Sequence, residues 1–191
     1  MPRFDDEQEL LEKLRDDAGK MKLWTEYTPK GLENTRYEII NDMVILTLHY
    51  GRIISKITGN LIDLYRKSSD DHLFLQYFDV KIDDDNIYLP KAILEKRQTV
   101  NGDKPCSTEP IIIFEILTDK NKHLLNAKFE HYQRLESLQE YVLIDLNSPQ
   151  IFVYRKANDW KAENFTIEQS FKLNSIDYTA KVADIYQDIE F

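Results

Sequence analysis

The sequence predicts an α/β domain in which a mixed β-sheet is flanked by helices. Three observations support this fold class. Segments with helical periodicity alternate with segments of strand character, no repeat or linker divides the chain, and one short apolar run has the character of a central strand. That run is Ile111–Leu117, which is apolar on both faces except at Glu115. The chain has 191 residues, the length of one ordinary globular domain with a short helical appendage.

The first predicted element is a helix over roughly residues 5–20, where leucines form an apolar stripe among charges. We therefore assign residues 1–26 to an N-terminal helical extension and residues 27–191 to the main domain. A hairpin follows, with strands Tyr37–Ile40 and Met43–Leu48 on either side of a tight turn at Asn41-Asp42. Over Gly51–Lys67 the apolar residues recur at helical spacing, which predicts an amphipathic helix.

The second half alternates in the same way. Two strands are predicted at Phe74–Ile82 and Ile87–Leu94, joined by an acidic turn. A polar loop leads to the central run, and a second helix is predicted over Lys122–Leu138. The strands Tyr141–Leu146 and Ile151–Lys156 then form another hairpin, so helices and strands alternate as a mixed sheet requires.

The composition excludes several classes of protein. The chain is 42% hydrophobic and 31% charged, so it can bury a core. Its net charge of −9 argues against non-specific coating of nucleic acid, although a local basic face stays open. The single cysteine, Cys106, excludes a disulfide scaffold and a cysteine-based zinc finger. No apolar run could span a bilayer and the N-terminus is acidic, so we expect a soluble cytoplasmic protein.

Two ionisable residues stand where the pattern predicts burial. Glu115 interrupts the central strand, and an unpaired buried carboxylate is costly, so it must be protonated, paired with a cation or bound to a metal. Lys128 lies four residues after Leu124 and four before Tyr132, on or beside the core-facing stripe of the second helix. The alternatives are a carboxylate satisfied by an arginine or by backbone amides, and a lysine that extends out to solvent.

Two further charges occupy strand positions. Strand alternation puts Lys91 on the same face as Ile87, Leu89 and Ile93, where an ammonium is out of place unless it meets an anion. The alternative is an edge-strand charge that deters aggregation. Glu38 lies at an alternating position of the first hairpin, where an acid is usually solvated.

Several short motifs follow one another in a fixed order. They are Tyr-Glu-Ile-Ile-Asn at 37–41, Asp-Asp-Asp-Asn-Ile-Tyr-Leu-Pro at 83–90, Ile-Ile-Ile-Phe-Glu-Ile-Leu at 111–117, Lys-Phe-Glu-His-Tyr at 128–132 and Phe-Val-Tyr-Arg at 152–155. Their order and spacing, over about residues 27–191, resemble the Uma-two (Uma2) family of the PD-(D/E)XK nuclease superfamily. The resemblance implies a restriction-endonuclease-like fold, with the mixed sheet flanked by helices.

The resemblance also implies a metal-dependent endonuclease that hydrolyses phosphodiester bonds of nucleic acid, DNA being the expected substrate. In such a core an Asp after a Pro and a Glu on the next strand hold Mg²⁺ or Mn²⁺, and a lysine positions the attacking water. By this resemblance Glu115 is a metal ligand and catalytic residue, Lys128 is the catalytic lysine displaced onto the following helix, and Glu38 is an early catalytic acid. Superfamily members often act as homodimers, and we expect the same here by analogy.

The sequence departs from the family pattern at several positions, and the departure that most affects the chemistry is at Lys91. The residue after Pro90, where the metal-binding Asp belongs, is Lys91. This exchange replaces a ligand by a repelling charge, and two unit charges about 4 Å apart interact by roughly 4 kcal/mol at an effective dielectric near 20. We hypothesise that the Lys91 ammonium fills the space of the metal and pairs with Glu115, which would impair catalysis.

Three functions therefore stay open from the sequence. They are a metal-dependent endonuclease, a non-catalytic protein that keeps the nuclease fold to bind nucleic acid, and a homodimeric regulatory protein. Residues 51–67 carry a net charge of +3 and residues 119–134 a net charge of +2. Such local basic segments are expected where a face approaches phosphates, but two ordinary solvated helices would give the same pattern.

Overall fold

The structure is a computed structural model, and it describes residues 36–40, 43–47, 51–66, 71–97, 106–119 and 121–191. The extension predicted over residues 1–26, its boundary at residue 27 and the turn at 41–42 lie outside the described residues. No helix in these ranges is both long and apolar enough to traverse a lipid bilayer.

The described chain forms short strands that alternate with three helices. In order these are β1 Arg36–Ile40, β2 Met43–Thr47, α1 Arg52–Arg66, β3 His72–Gln76, β4 Val80–Lys81, β5 Ile87–Tyr88, β6 Ala92–Lys96, β7 Ile112–Leu117, α2 Lys122–Tyr132, β8 Glu140–Asp145, β9 Gln150–Arg155, β10 Ala162–Thr166, β11 Ser170–Leu173, β12 Tyr178–Lys181 and α3 Val182–Ile185.

The main sheet has six strands in the order β10-β9-β8-β7-β6-β3. Its strands pair antiparallel except for β7 and β8, which are parallel and are connected through α2. A second sheet has the order β2-β1-β5-β4, and β11 and β12 form a separate hairpin. The predicted mixed sheet flanked by helices is therefore confirmed.

The two faces of the main sheet bury separate apolar clusters. Ile112, Phe114 and Ile116 of β7 face one cluster, which also contains residues of α1 and α3. Ile113 faces the other cluster, which contains residues of α2. Because side chains alternate along a strand, Glu115 lies on the α2 side together with Ile113. The sheet thus positions the only acid of β7 beneath a helix.

The two strands predicted at 74–82 and 87–94 are each divided between the two sheets. Tyr77 has φ of 47°, a left-handed conformation that ends β3, and β4 then pairs in the other sheet. Between β5 and β6, Pro90 has no N–H with which to continue a ladder. The following residue, Lys91, donates its backbone N–H to the Phe114 carbonyl at 3.0 Å and so begins the entry into the main sheet.

The two longer helices match the prediction to different extents. Helix α1 covers nearly all of the predicted segment, and its buried side chains recur at helical spacing. Helix α2 ends at Tyr132 rather than at Leu138. The N–H groups of Arg134 and Leu135 bond to carbonyls three residues earlier, so the chain leaves the helix through tighter turns.

Candidate active site

Three of the four predicted site residues meet in direct contact. Glu38 on β1, Glu115 on β7 and Lys128 on α2 are 3%, 1% and 2% exposed. The Lys128 Nζ lies 2.6 Å from the Glu38 Oε1 and also contacts the Glu115 Oε1. One buried ammonium therefore bridges two carboxylates that come from different sheets.

Both carboxylates accept further hydrogen bonds. The backbone N–H of Leu89 donates to the Glu38 Oε1 at 2.8 Å, and the Tyr132 hydroxyl donates to the Glu115 Oε1 at 3.3 Å. Burial alone would lower the pKa of Lys128, but the charges of Glu115 and Glu38 outweigh it and raise that pKa above its ordinary value. Lys128 is thus held as a cation.

Lys91 lies beside this contact, between β5 and β6, and is 8% exposed. Burial lowers the pKa of Lys91, while the negative charge of Glu115 acts in the opposite direction and the Lys128 ammonium lowers it further. Each of the other three groups thus influences Lys91, since Glu38 also raises its pKa. We call Glu38, Lys91, Glu115 and Lys128 the charge cluster.

Aromatic rings line one side of the charge cluster. The Lys128 Nζ lies 5.4 Å from the centroid of the Tyr88 ring and 6.0 Å from that of the Tyr132 ring. The Tyr88 hydroxyl donates to the Asn86 Oδ1 at 3.1 Å and is also hydrogen-bonded to the His131 Nδ1. Burial raises the pKa of Tyr88 to about 12, so this phenol is neutral near pH 7.

Sequence reasoning overlooked the roles of Tyr88 and His131. Both lie within motifs that were recognised, but a tyrosine in a short strand and a histidine in a helix gave no separate signal. Tyr132 was placed on the apolar stripe, four residues after Lys128, and that spacing does put its hydroxyl near the same carboxylate.

The positions of the four residues exclude several of the alternatives that the sequence leaves open. Lys128 does not extend to solvent, and Glu38 is not solvated. Lys91 is not an edge-strand charge, because it is buried and directly precedes β6, which lies between β3 and β7. Glu115 is in contact with the Lys128 ammonium. Its negative charge also raises the pKa of Lys91. Their roles in catalysis or metal binding stay predictions.

The charge cluster does not have the donor set of a divalent metal site. Mg²⁺ prefers about six oxygen ligands in octahedral geometry, whereas an ammonium has no lone pair to offer. Two of the four groups here are ammoniums, so the charges of the cluster already balance. Across the described ranges, no group of three or more His, Cys, Asp or Glu residues is arranged to hold a metal ion.

Surface charges on the predicted basic helices are partly paired. Lys56 of α1 bonds to Asp188 at 2.8 Å, and Arg66 lies 3.6 Å from Asp63. Near the end of α2, the side chain of Arg134 lies 3.6 Å from an oxygen of Asp83. The second helix therefore presents fewer cations to solvent than its sequence indicates, since its Lys128 is buried as well.

The chain is a mixed α/β protein, and its fold is shared with a solved structure. It is similar to the crystal structure of "a putative nuclease belonging to DUF820 from Anabaena variabilis ATCC 29413", with a TM-score of 0.68 and 16% sequence identity over 78% of this chain and 89% of that chain. At this identity the likeness shows the shared fold. A comparison with curated proteins finds no match.

The sequence identifies the family within that class. The Uma2 family, described as "Putative restriction endonuclease", matches residues 24–177. The chain therefore belongs to the Uma2 family, as the order of its motifs predicted. Restriction-endonuclease-like families generally use divalent metals, whereas two of the four groups in the charge cluster are lysine ammoniums.

Proposed function

We propose that this protein binds nucleic acid through its nuclease fold and does not cleave it by metal-dependent hydrolysis. The observation that carries the proposal is the charge cluster, in which two carboxylates are balanced by two buried ammoniums. A divalent ion entering it would face both cations. Each would repel a divalent ion about 4 Å away by roughly 8 kcal/mol at an effective dielectric near 20.

Support for nucleic acid as the ligand comes from the family, and the surface is compatible with it. Arg52 at the start of α1 and Lys122 at the start of α2 are exposed. Exposed cations in an acidic protein are the groups with which phosphates would be contacted. We therefore expect binding to depend on a few such residues rather than on the net charge, which is −9.

The proposal is tested by measuring binding and cleavage separately. Fluorescence anisotropy with single- and double-stranded DNA and RNA, in the presence of EDTA, should show binding that weakens between about 50 and 200 mM salt. Arg52→Gln and Lys122→Gln should weaken it. Lys172→Gln is the matched control, because that ammonium is already paired with Asp177 at 2.5 Å. No affinity for any of these ligands would contradict the proposal.

A second candidate is the metal-dependent endonuclease itself. The observation that favours it is the meeting of Glu38, Glu115 and Lys128, the two acids and one lysine that the family resemblance assigns to catalysis. Incubating the same nucleic acids with Mg²⁺ or Mn²⁺ decides between the candidates. Cleavage that is abolished by Glu115→Gln would establish the endonuclease, and its absence is expected from the first proposal.

A homodimer is part of the proposal by analogy with the superfamily. Sedimentation equilibrium over a range of protein concentrations measures the oligomeric state directly. A dimer without nucleic-acid affinity would favour the third function, a homodimeric regulatory protein.

A further inference from the structure

The position of the Lys128 ammonium has a geometric consequence. Because the Glu38 Oε1 and the Glu115 Oε1 both contact one nitrogen, they lie within about 5.6 Å of each other, twice an ordinary charge-assisted hydrogen-bond length. An octahedral Mg²⁺ holds its oxygens about 2.1 Å away, so two of its ligands lie at most about 4.2 Å apart. The nitrogen thus occupies the point from which one ion would reach both carboxylates after a small inward shift.

The two lysines of the charge cluster differ in this respect. Lys128 contacts both carboxylates from α2, and Lys91 enters the charge cluster from the segment before β6. Removal of either charge makes the cluster more negative by one unit. Only removal of Lys128 also vacates the point between the two oxygens.

We propose that Lys128 is a built-in cation that replaces a divalent ion between Glu38 and Glu115, and that it is the main barrier to metal binding. This inference rests on the proposed function, a nuclease fold that does not use a metal. A site that contains its own cation needs no metal to hold its two carboxylates together. The main barrier to metal binding is then Lys128 on α2 and not Lys91, which stands at the sequence position of the metal ligand.

The proposal predicts that a metal can substitute for the lysine. Lys128→Met removes the charge and keeps an unbranched apolar stem, leaving two buried carboxylates without their shared partner. The melting temperature should fall by about 6–20 °C in metal-free buffer. Added Mn²⁺ should restore several degrees of that loss in a concentration-dependent way, because a ligand that binds only the folded state stabilises it.

The decisive measurement is Mn²⁺ affinity, by calorimetry and by paramagnetic resonance of free Mn²⁺, for the wild type, Lys128→Met and Lys91→Met. Lys91→Met is the matched control, since it removes one charge from the same cluster. We expect no measurable binding to the wild type and one ion bound to Lys128→Met, at least about 100-fold more tightly than to Lys91→Met, a factor equivalent to about 2.7 kcal/mol. Adding Glu115→Gln to Lys128→Met should remove that binding.

Three results would overturn the proposal. They are Mn²⁺ binding by the wild type at Glu115, an equal or greater gain for Lys91→Met, and a Lys128→Met protein that gains no affinity or stays unfolded even in Mn²⁺. These outcomes are independent of the nucleic-acid measurements made with EDTA. A failure of nucleic-acid binding would therefore leave the metal result standing, and the converse also holds.

Discussion

Tyr132 lies four residues beyond Lys128 on α2, and its hydroxyl donates at 3.3 Å to the same Glu115 oxygen that the Lys128 ammonium contacts. One stripe of a single helix therefore supplies both the charge and a neutral donor for the acid of the central strand. Because both donors come from one rigid element, the carboxylate is oriented as well as neutralised.

The Tyr132 hydrogen bond should contribute modestly to stability. Tyr132→Phe removes one long hydrogen bond, and we expect the free energy of unfolding to fall by about 1 kcal/mol. Urea denaturation measures the change. Tyr141→Phe is the matched control, because the buried Tyr141 hydroxyl has no hydrogen-bond partner in the described structure and its removal should be neutral or stabilising. A larger loss for Tyr141→Phe would contradict this assignment.

Glu115, a buried acid of the charge cluster, should contribute far more to stability than a surface acid does. Glu115→Gln preserves shape but leaves two ammoniums with reduced compensation, and we expect a loss of about 3–5 kcal/mol in unfolding free energy. Asp188→Asn breaks the exposed pair with Lys56 and should cost less than about 1 kcal/mol. Chemical denaturation of both variants gives the comparison. Similar small losses would show that Glu115 is not energetically coupled to the lysines.

Another buried acid, Glu140, holds the connection between β11 and β12. The Glu140 carboxylate accepts hydrogen bonds from the Arg155 Nε at 3.1 Å and from the backbone N–H groups of Asn174 and Ser175, both at 3.0 Å. Glu140→Gln should therefore loosen the connection between β11 and β12. Hydrogen exchange should become faster at residues 170–181, with little change in α2. Exchange rates at residues 170–181 that are unchanged from the wild type would contradict this local role.

The elevated pKa of Tyr88 should make the stability of the fold decrease at alkaline pH. In the unfolded chain a tyrosine ionises near pH 10, whereas Tyr88 in the fold ionises at about 12. Between these values the folded state keeps a proton that the unfolded state has lost, so stability falls as pH rises. Tyr88→Phe should make this fall shallower. Denaturation curves from pH 8 to 12 measure it, and parallel slopes would contradict the assignment.

The sequence predicted the site's acids and lysines better than its surroundings. Glu115 stood out because a central strand is apolar on both faces, and Lys128 because helical spacing put it near the core. Both predictions depend on local periodicity, and the fold buries both side chains as that periodicity indicates. The hydrogen bond between Tyr88 and His131 depends instead on how β5 and α2 pack in the tertiary structure, which no local pattern reveals.

The last strands were not predicted for a related reason. In β10 the single large apolar side chain is Phe165, and the strand lies at the edge of its sheet. Its sequence therefore shows little alternation between apolar and polar residues. The division of residues 74–94 between two sheets was also missed. It depends on the left-handed Tyr77 and on pairings with strands distant in sequence, which only the tertiary structure determines.

The ion pair between Glu38 and Lys128 joins positions 90 residues apart, and this separation bears on the order in which the protein folds. Closing so long a loop is entropically slow, whereas α2 and the β7–β8 pair are linked by short segments. The first hairpin should therefore dock late, onto a nearly finished body. Until the hairpin docks, Lys128 lacks one of its two counter-charges. The buried ion pair with Glu38 therefore forms only when folding is nearly complete.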